Sequence, residues 1–254
     1  MGVSAPAIYV CIASYCVSVF VLTGFYHRFF SHRTFKTSRA FQFFISVIGM
    51  CAAQRSPLWW AAHHRSHHRY SDTVQDKHSP KQHGFIRSHW GWFLEDRNFG
   101  VNEDYVKDLI KFPELVFLNR FDFLPPLIYM CLLYYFGGLQ MLVWGFFVST
   151  VLVYQVTFAI NSVAHLVGTR RYNTTDTSRN NWWLAILTFG EGWHNNHHHW
   201  PSSVKQGFRF YEIDITYYLL RVLQSVGLIW DLRLPPPEVI NDTIELNRQT
   251  AAQN

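Results

Sequence analysis

Apolar positions are spread unevenly along the chain. Residues 1–26 contain no Lys, Arg, Asp or Glu, and neither do residues 123–160. The first of these stretches, AIYVCIASYCVSVFVLTGFY, has the ~20 residues that a helix needs to cross a bilayer. It lacks the basic start and small-residue cleavage site of a secretion signal, and it runs straight into a histidine motif, so a span is expected. The second stretch, FLPPLIYMCLLYYFGGLQMLVWGFFVSTVLVYQVTFAI, is about twice as long. Gly137 and Gly138 divide it, which predicts two membrane helices joined by a tight turn. Spans are therefore expected near residues 6–26, 123–138 and 140–160 of an all-α integral membrane protein.

Two weaker patterns accompany these. Residues 40–62 begin apolar, as AFQFFISVIGMCAA, but QRSPLWW interrupts them too early for a clean span, so an interfacial or re-entrant segment is expected. Residues 208–230 mix apolar positions with Arg209, Glu212, Asp214 and Arg221, a pattern that predicts an amphipathic helix at the membrane surface. Residues 1–234 read as one domain without internal repeats, and the polar tail 235–254 as flexible.

Composition sharpens this picture. Aromatic residues make up 18% of the 254 positions and charged residues only 15%, against about a quarter in a soluble domain. Mean hydropathy is near zero, an average that conceals the apolar segments because the charges are concentrated: all 22 Lys and Arg lie in 27–122 and 161–254. That bias puts both charged regions in the cytoplasm and the amino terminus on the other side. A bacterial inner membrane is favoured over the endoplasmic reticulum. The four cysteines, Cys11, Cys16, Cys51 and Cys131, sit in apolar segments without a CxxC pair and read as reduced, small hydrophobes.

The chemistry lies in the histidines. There are 14, and nine of them form four groups at the cytoplasmic ends of apolar segments. HRFFSH supplies His27 and His32, and HRSHH supplies His64, His67 and His68. NSVAH sets Asn161 and His165 one helical turn apart, and HNNHH supplies His194, His197 and His198. A single histidine at a helix end is usually an interfacial hydrogen-bonder, and His63, His78, His83, His89 and His199 read that way. Nine in matched spacings on one membrane face point to bound metal. They exceed one ion's capacity and lack nearby thiolates, so two ions with four or five ligands each use the set better. Imidazole suits Zn, Cu, Fe and Ni alike, so ligand type leaves the metal open. A dihaem protein would instead pair histidines across helices inside the bilayer.

The order HxxxxH, HxxHH, NSxxH, HxxHH between apolar segments resembles the membrane fatty acyl desaturases of the stearoyl-CoA (Δ9) type. The likeness extends to GFYHRFFSHRTFK, HHRSHHRYSDT, HSPKQHGFIRSHWGWFL and GEGWHNNHH, and covers roughly residues 15–230. It implies two iron ions held by the nine histidines, with Asn161 reaching one of them through water, in a cytoplasmic helical domain capping the membrane helices. Members of the family usually have a further span before the first one here, giving four, so either the native chain is shorter or its start is missing.

The resemblance implies O2-dependent desaturation, because no side-chain acid or base can abstract hydrogen from an unactivated methylene. Iron with O2 can, while the protein holds the metal and fixes one carbon pair against it. Carboxylates behind the imidazoles would orient the rings and offset the charge of an all-nitrogen shell; Asp72 and Glu191 are the candidates by position. No cytochrome b5 haem motif, ferredoxin cysteine set or GxGxxG is found, so a separate electron donor is implied, ferredoxin-like or cytochrome b5-like with its reductase. The basic face could attract an acidic donor or anionic lipid. Membrane lipid is the other partner, and no nucleic acid is expected.

The resemblance also points to substrate positions. Gln54, Trp60 and Thr157 match residues that bend the acyl chain beside the irons, which implies a cis double bond at carbon 9 of a saturated C16–C18 chain. Where animal enzymes hold CoA with an Asn and an Asp, this chain has Arg55 and His63. Acyl-CoA remains the first expectation, since Arg55 could meet a phosphate, and a lipid-linked acyl chain is the alternative. On the helix before His27, Val19 lies about 12 Å and Tyr15 about 18 Å from the histidine, on one face. The chain beyond carbon 9 is about 11 Å long, so Val19 is placed to meet its end and Tyr15 to close the tunnel below. Two other readings are a related membrane hydroxylase, which the NSxxH element disfavours, and a metal-binding protein without activity.

Overall fold

The computed structural model describes residues 2–243. Helix α1, Ala5–Val21, is capped by the Ser4 hydroxyl and continues without a break into a π-helical segment, Leu22–Ser31. After β1 (Lys36–Thr37) comes α2 (Arg39–Met50), then a reversal, then α3 (Pro57–Tyr70). The stretch expected to be interfacial or re-entrant is thus a helix, a turn and a second helix. Tyr26 of the first helix bonds the Ser46 carbonyl of α2 at 3.2 Å, and the other face of α2 leaves Phe43 and Phe44 exposed. Ser56 starts α3, its hydroxyl accepting from Trp59 N with Pro57 in the first turn.

Short helices α4 (Pro80–His83) and α5 (Phe85–His89) and three 3₁₀ turns lead to α6 (Pro113–Arg120). Then α7, Leu124–Leu142, breaks at Gly138, whose φ of 64° and ψ of −161° are open to glycine and hardly to other residues. The chain turns back there, passes through a π-helical segment, Val143–Val148, and continues as α8, Ser149–Leu166. The Tyr129 and Phe146 rings pack across this hairpin, and Tyr129 OH meets Ser14 Oγ of α1 at 2.5 Å. Ser4 N donates to Gln140 beside the hairpin tip, so the start of α1 and the tip share one end of the bundle. His27, Asn161 and His165 occupy the other.

Ala5–Ser31 and Leu124–Leu166 are long and apolar enough to cross a membrane, and the break at Gly138 folds the second into a hairpin. Their outer faces expose Tyr9, Ile12, Leu132, Tyr135, Phe136 and Val151, a lipid-facing surface. This is a predominantly helical membrane protein, with one two-residue antiparallel strand pair among the described residues, β1 against β2 (Ile229–Trp230).

The last helices are short: α9 (Trp182–Leu187), α10 (His194–His199) and α11 (Ile215–Ser225). The amphipathic helix expected over 208–230 is therefore shorter and begins later. Glu212 and Asp214 precede it and are buried, because Asp214 caps α11 through Tyr217 N and pairs with Arg28, while Glu212 pairs with Arg171. Of the tail 235–254, Pro237–Asn241 form α12, held by Tyr172 OH on the Ile240 carbonyl at 2.9 Å. Residues 244–254 lie outside the described residues.

Candidate metal centre

His27 and His32 are five residues apart, which in an α-helix would point them some 140° away from each other. They lie in and at the end of the π-helical segment, where His32 N donates to the His27 carbonyl at 3.2 Å. The wider turn brings i and i+5 together, and their ring centroids are 4.9 Å apart. The spacing HxxxxH thus depends on a rare helix geometry that clusters at functional sites.

In α3 and α10 the ordinary α-helix does the same work for HxxHH, and then splits it. His64 and His68, at i and i+4, join His27 and His32, while His67 faces the other way. In α10 His194 and His198 form the i, i+4 pair, and His197 crosses over. Two groups result: His27, His32, His64, His68 and His197, and His67, His165, His194 and His198. Within each, the ligand atoms lie within 4.8 Å of one another. All nine histidines singled out from the sequence are brought together. Asn161 lines the same cavity as His27, His64, His67 and His194.

The rings fit bound metal ions. Nε2 atoms approach one another at 3.0 Å (His27–His197), 2.8 Å (His32–His64), 2.9 Å (His197–His68) and 3.1 Å (His194–His165). Where Nδ1 donates its proton to a carboxylate, Nε2 presents a lone pair, and converging lone pairs repel unless a cation lies among them. His198 Nε2 is buried without a hydrogen-bond partner, an orphan that a metal would satisfy. Burial first, then neighbouring imidazoles, push His32, His64, His68, His194 and His197 well below the ordinary histidine value, and burial brings His198 to about 4. These rings are neutral at pH 7, the form that ligates metal.

Four carboxylates stand behind the rings. Glu191 accepts from His27 Nδ1, Asp76 from His67 at 3.0 Å, Asp72 from His165 at 3.4 Å and Asp176 from His198 at 2.7 Å. Asp72 and Glu191 are the two picked out from the sequence. Asp76, nine residues after His67, and Asp176, in the loop before α9, carry no sequence signal of their own. Burial opposes ionisation of all four, yet the groups they accept from hold the aspartates well below the usual range and bring Glu191 to about 2.

The motif GEGWHNNHH is explained residue by residue. Gly190 has φ of 127°, and a Cβ there would collide with Asp214 Oδ1. Glu191 turns inward to His27 and to Arg28 Nη2 at 3.0 Å, and Trp193 Nε1 donates to the Ile213 carbonyl at 2.8 Å. Asn195 Oδ1 accepts from the backbone of Arg171 and Tyr172, and Asn196 Nδ2 donates to the Gln206 carbonyl and Glu212. The asparagines therefore fix α10 and leave the histidines free.

A cavity runs from Val19, Leu22 and Thr23 past Val156, Thr157 and Trp60 to the histidines, and a second lies across Gln54, Trp60 and Thr157 toward Trp92 and Phe93. Between them Gln54 Nε2 donates to Thr157 Oγ1 at 3.1 Å and Gln54 Oε1 accepts from Trp60 Nε1 at 3.4 Å. Tyr15 OH bonds the Leu187 carbonyl at 2.7 Å, tying α1 to α9. Arg55 stands apart. Its Nε meets Asp122 at 3.2 Å and its guanidinium lies over Trp59 and Phe99, so it lines neither cavity, although Trp59 beneath it is a wall of the second.

A fatty acid desaturase family model matches residues 4–228. The chain is 41% identical over 217 residues to a probable chloroplastic lipid desaturase of Arabidopsis thaliana, covering 84% of this chain and 60% of that protein. It is 41% identical over 234 residues to a Delta-9 acyl-lipid desaturase of the same plant, covering 91% and 76%. To an acyl-CoA C20 Delta5-desaturase of Anemone leveillei it is 39% identical over 237 residues, covering 91% and 75%.

Proposed function

The chain belongs to the fatty acid desaturase family, and from that premise we propose that it inserts a cis double bond at carbon 9 of a saturated C16–C18 acyl chain, using two iron ions, O2 and a separate electron donor. The observation that carries the reading is the cavity that leads from Val19 to both histidine groups. Iron held there would supply, with O2, two electrons and two protons, the oxidising power to turn adjacent methylenes into an alkene and two waters.

The chain's own residues do the rest. Five histidines hold one ion and four the other, with Asn161 beside them, and the carboxylates fix each ring's tautomer and angle. Gln54, Trp60 and Thr157, locked together by hydrogen bonds, bend the acyl chain between the two cavities. A chain held bent at one bond gives a cis product at one position. Apolar walls exclude water, and Val19 meets the methyl end.

For the carrier, a lipid-linked acyl group is now the better reading. Arg55, the residue that spoke for CoA phosphate, is engaged by Asp122, and two of the similar plant enzymes carry lipid in their names. Acyl-CoA is the second reading, favoured by the likeness to an acyl-CoA enzyme. The deciding experiment presents stearoyl-phospholipid and stearoyl-CoA side by side to the protein in nanodiscs with a reductant. Mass spectrometry then locates the double bond. Product mainly at a carbon other than 9 would refute the position, and product from CoA alone would refute the carrier.

A further inference from the structure

The two histidine groups differ in what stands behind them. In the four-histidine group, three rings donate Nδ1–H to carboxylates: His67 to Asp76, His165 to Asp72 and His198 to Asp176. All three aspartates are buried. Their other bonds are to neutral groups: Ser79 and Thr177 for Asp72, the Asp72 and His78 amides for Asp76, and Ser178 N and Thr174 for Asp176. Among the described residues no Lys or Arg pairs with any of them.

In the five-histidine group only His27 has such a carboxylate, Glu191. That charge is shared. Arg28, fully buried, donates Nη2 to Glu191 Oε1 at 3.0 Å and Nη1 to Asp214 at 2.9 Å. Arg65 stands behind the same group, bonding the Phe30 and Ser31 carbonyls just before His32 and pairing with Asp108. One position thus faces three carboxylates with no direct Lys or Arg partner among the described residues, Arg170 reaching Asp176 only through Thr174 Oγ1, and the other faces acids paired directly with arginines.

From this asymmetry, which rests on the two-iron reading above, we infer that the two metal positions have unequal reduction potentials, the four-histidine position having the lower. Each position exchanges one electron, Fe2+ giving Fe3+, with a one-electron donor or mediator. Buried anions favour the more positive ion, and low local dielectric leaves their charge poorly screened. The four-histidine iron is therefore the first to be oxidised and the last to be reduced. An electron from the donor settles first at the five-histidine position.

The test is a mediator titration of the 57Fe-loaded full chain in nanodiscs, followed by Mössbauer spectroscopy, without substrate or turnover. Two separate one-electron steps are expected, each moving one quadrupole doublet. Asp176→Asn keeps the shape and an acceptor for His198 while removing the charge; it is expected to raise the lower potential and leave the upper in place. Glu191→Gln is expected to raise the upper one. Two irons titrating together in the unmodified chain would overturn the inference alone, as would Asp176→Asn moving the upper step. Fewer than two irons per chain would overturn the two-iron reading and the inference with it.

Discussion

His67 and His68 are neighbours in the chain and belong to different histidine groups, His68 with His27 and His67 with His165. In α10 the pair His197 and His198 divides in the opposite sense. Each HxxHH motif thus gives two rings to one position and one to the other, so helices α3 and α10 clamp both positions at once.

That sharing makes the metal sites separable by mutation. His68→Ala removes a ring from the five-histidine group, and His198→Ala removes one from the four-histidine group. Each is expected to lower bound iron from about two per chain toward about one, and to abolish desaturation. Iron analysis of purified protein and a product assay check this. Full iron with either variant would contradict the grouping.

Val19 is buried against the cavity that reaches the histidines. Val19→Phe is expected to shift preference toward shorter acyl chains, since bulk added in a packed tunnel costs about 1–3 kcal/mol. Val19→Gly is expected to admit longer ones, at a cost of roughly a few tenths of a kcal/mol in helix propensity and the loss of a buried side chain's packing. Product distributions from a mixture of C14 to C20 substrates read the outcome, and an unchanged distribution in both variants with iron intact removes Val19 from the tunnel.

Gln54 joins Trp60 and Thr157 between the two cavities. Gln54→Leu leaves the Trp60 N–H without its acceptor, at a cost of about 1–3 kcal/mol for a buried donor. Double bonds are expected at more than one position, with total turnover reduced less than regioselectivity. A variant that still makes a single positional isomer would show that bending lies elsewhere.

At Gly190 a side chain would strike Asp214 and stand 3.1 Å from Arg28 Nη2, on a backbone with φ of 127°. Gly190→Ala is expected to destabilise the fold by about 1–3 kcal/mol and to loosen the Arg28–Glu191–His27 chain. Thermal unfolding in detergent and iron content would both fall. Wild-type values for both would mean that the turn relaxes freely.

The long apolar helices and the gathering of the histidines were legible because each depends on local pattern. Uncharged runs of membrane length mark the helices, Gly138 marks the turn, and histidines at i, i+3 and i+4 share a helix side in any α-helix. Residues 208–214 misled, because their charges alternate with apolar positions as on a surface helix. Those acids are in fact buried against Arg28 and Arg171, partners distant in sequence. Arg55 is likewise paired with an acid distant in sequence, Asp122.

By itself the sequence determined which nine histidines gather and on which apolar segments they end, since spacing along a helix is set by backbone geometry. Only the tertiary structure decided how they divide into five and four, because the crossing of His67 and His197 depends on how α3 packs beside α10. It also decided the π-helical turn that aligns His27 with His32, and the pairing of Asp76 and Asp176 with ligand rings. Those pairings carry the charge of the site, and charge in a buried centre is set by which groups meet in space, a relation the order of residues along the chain leaves open.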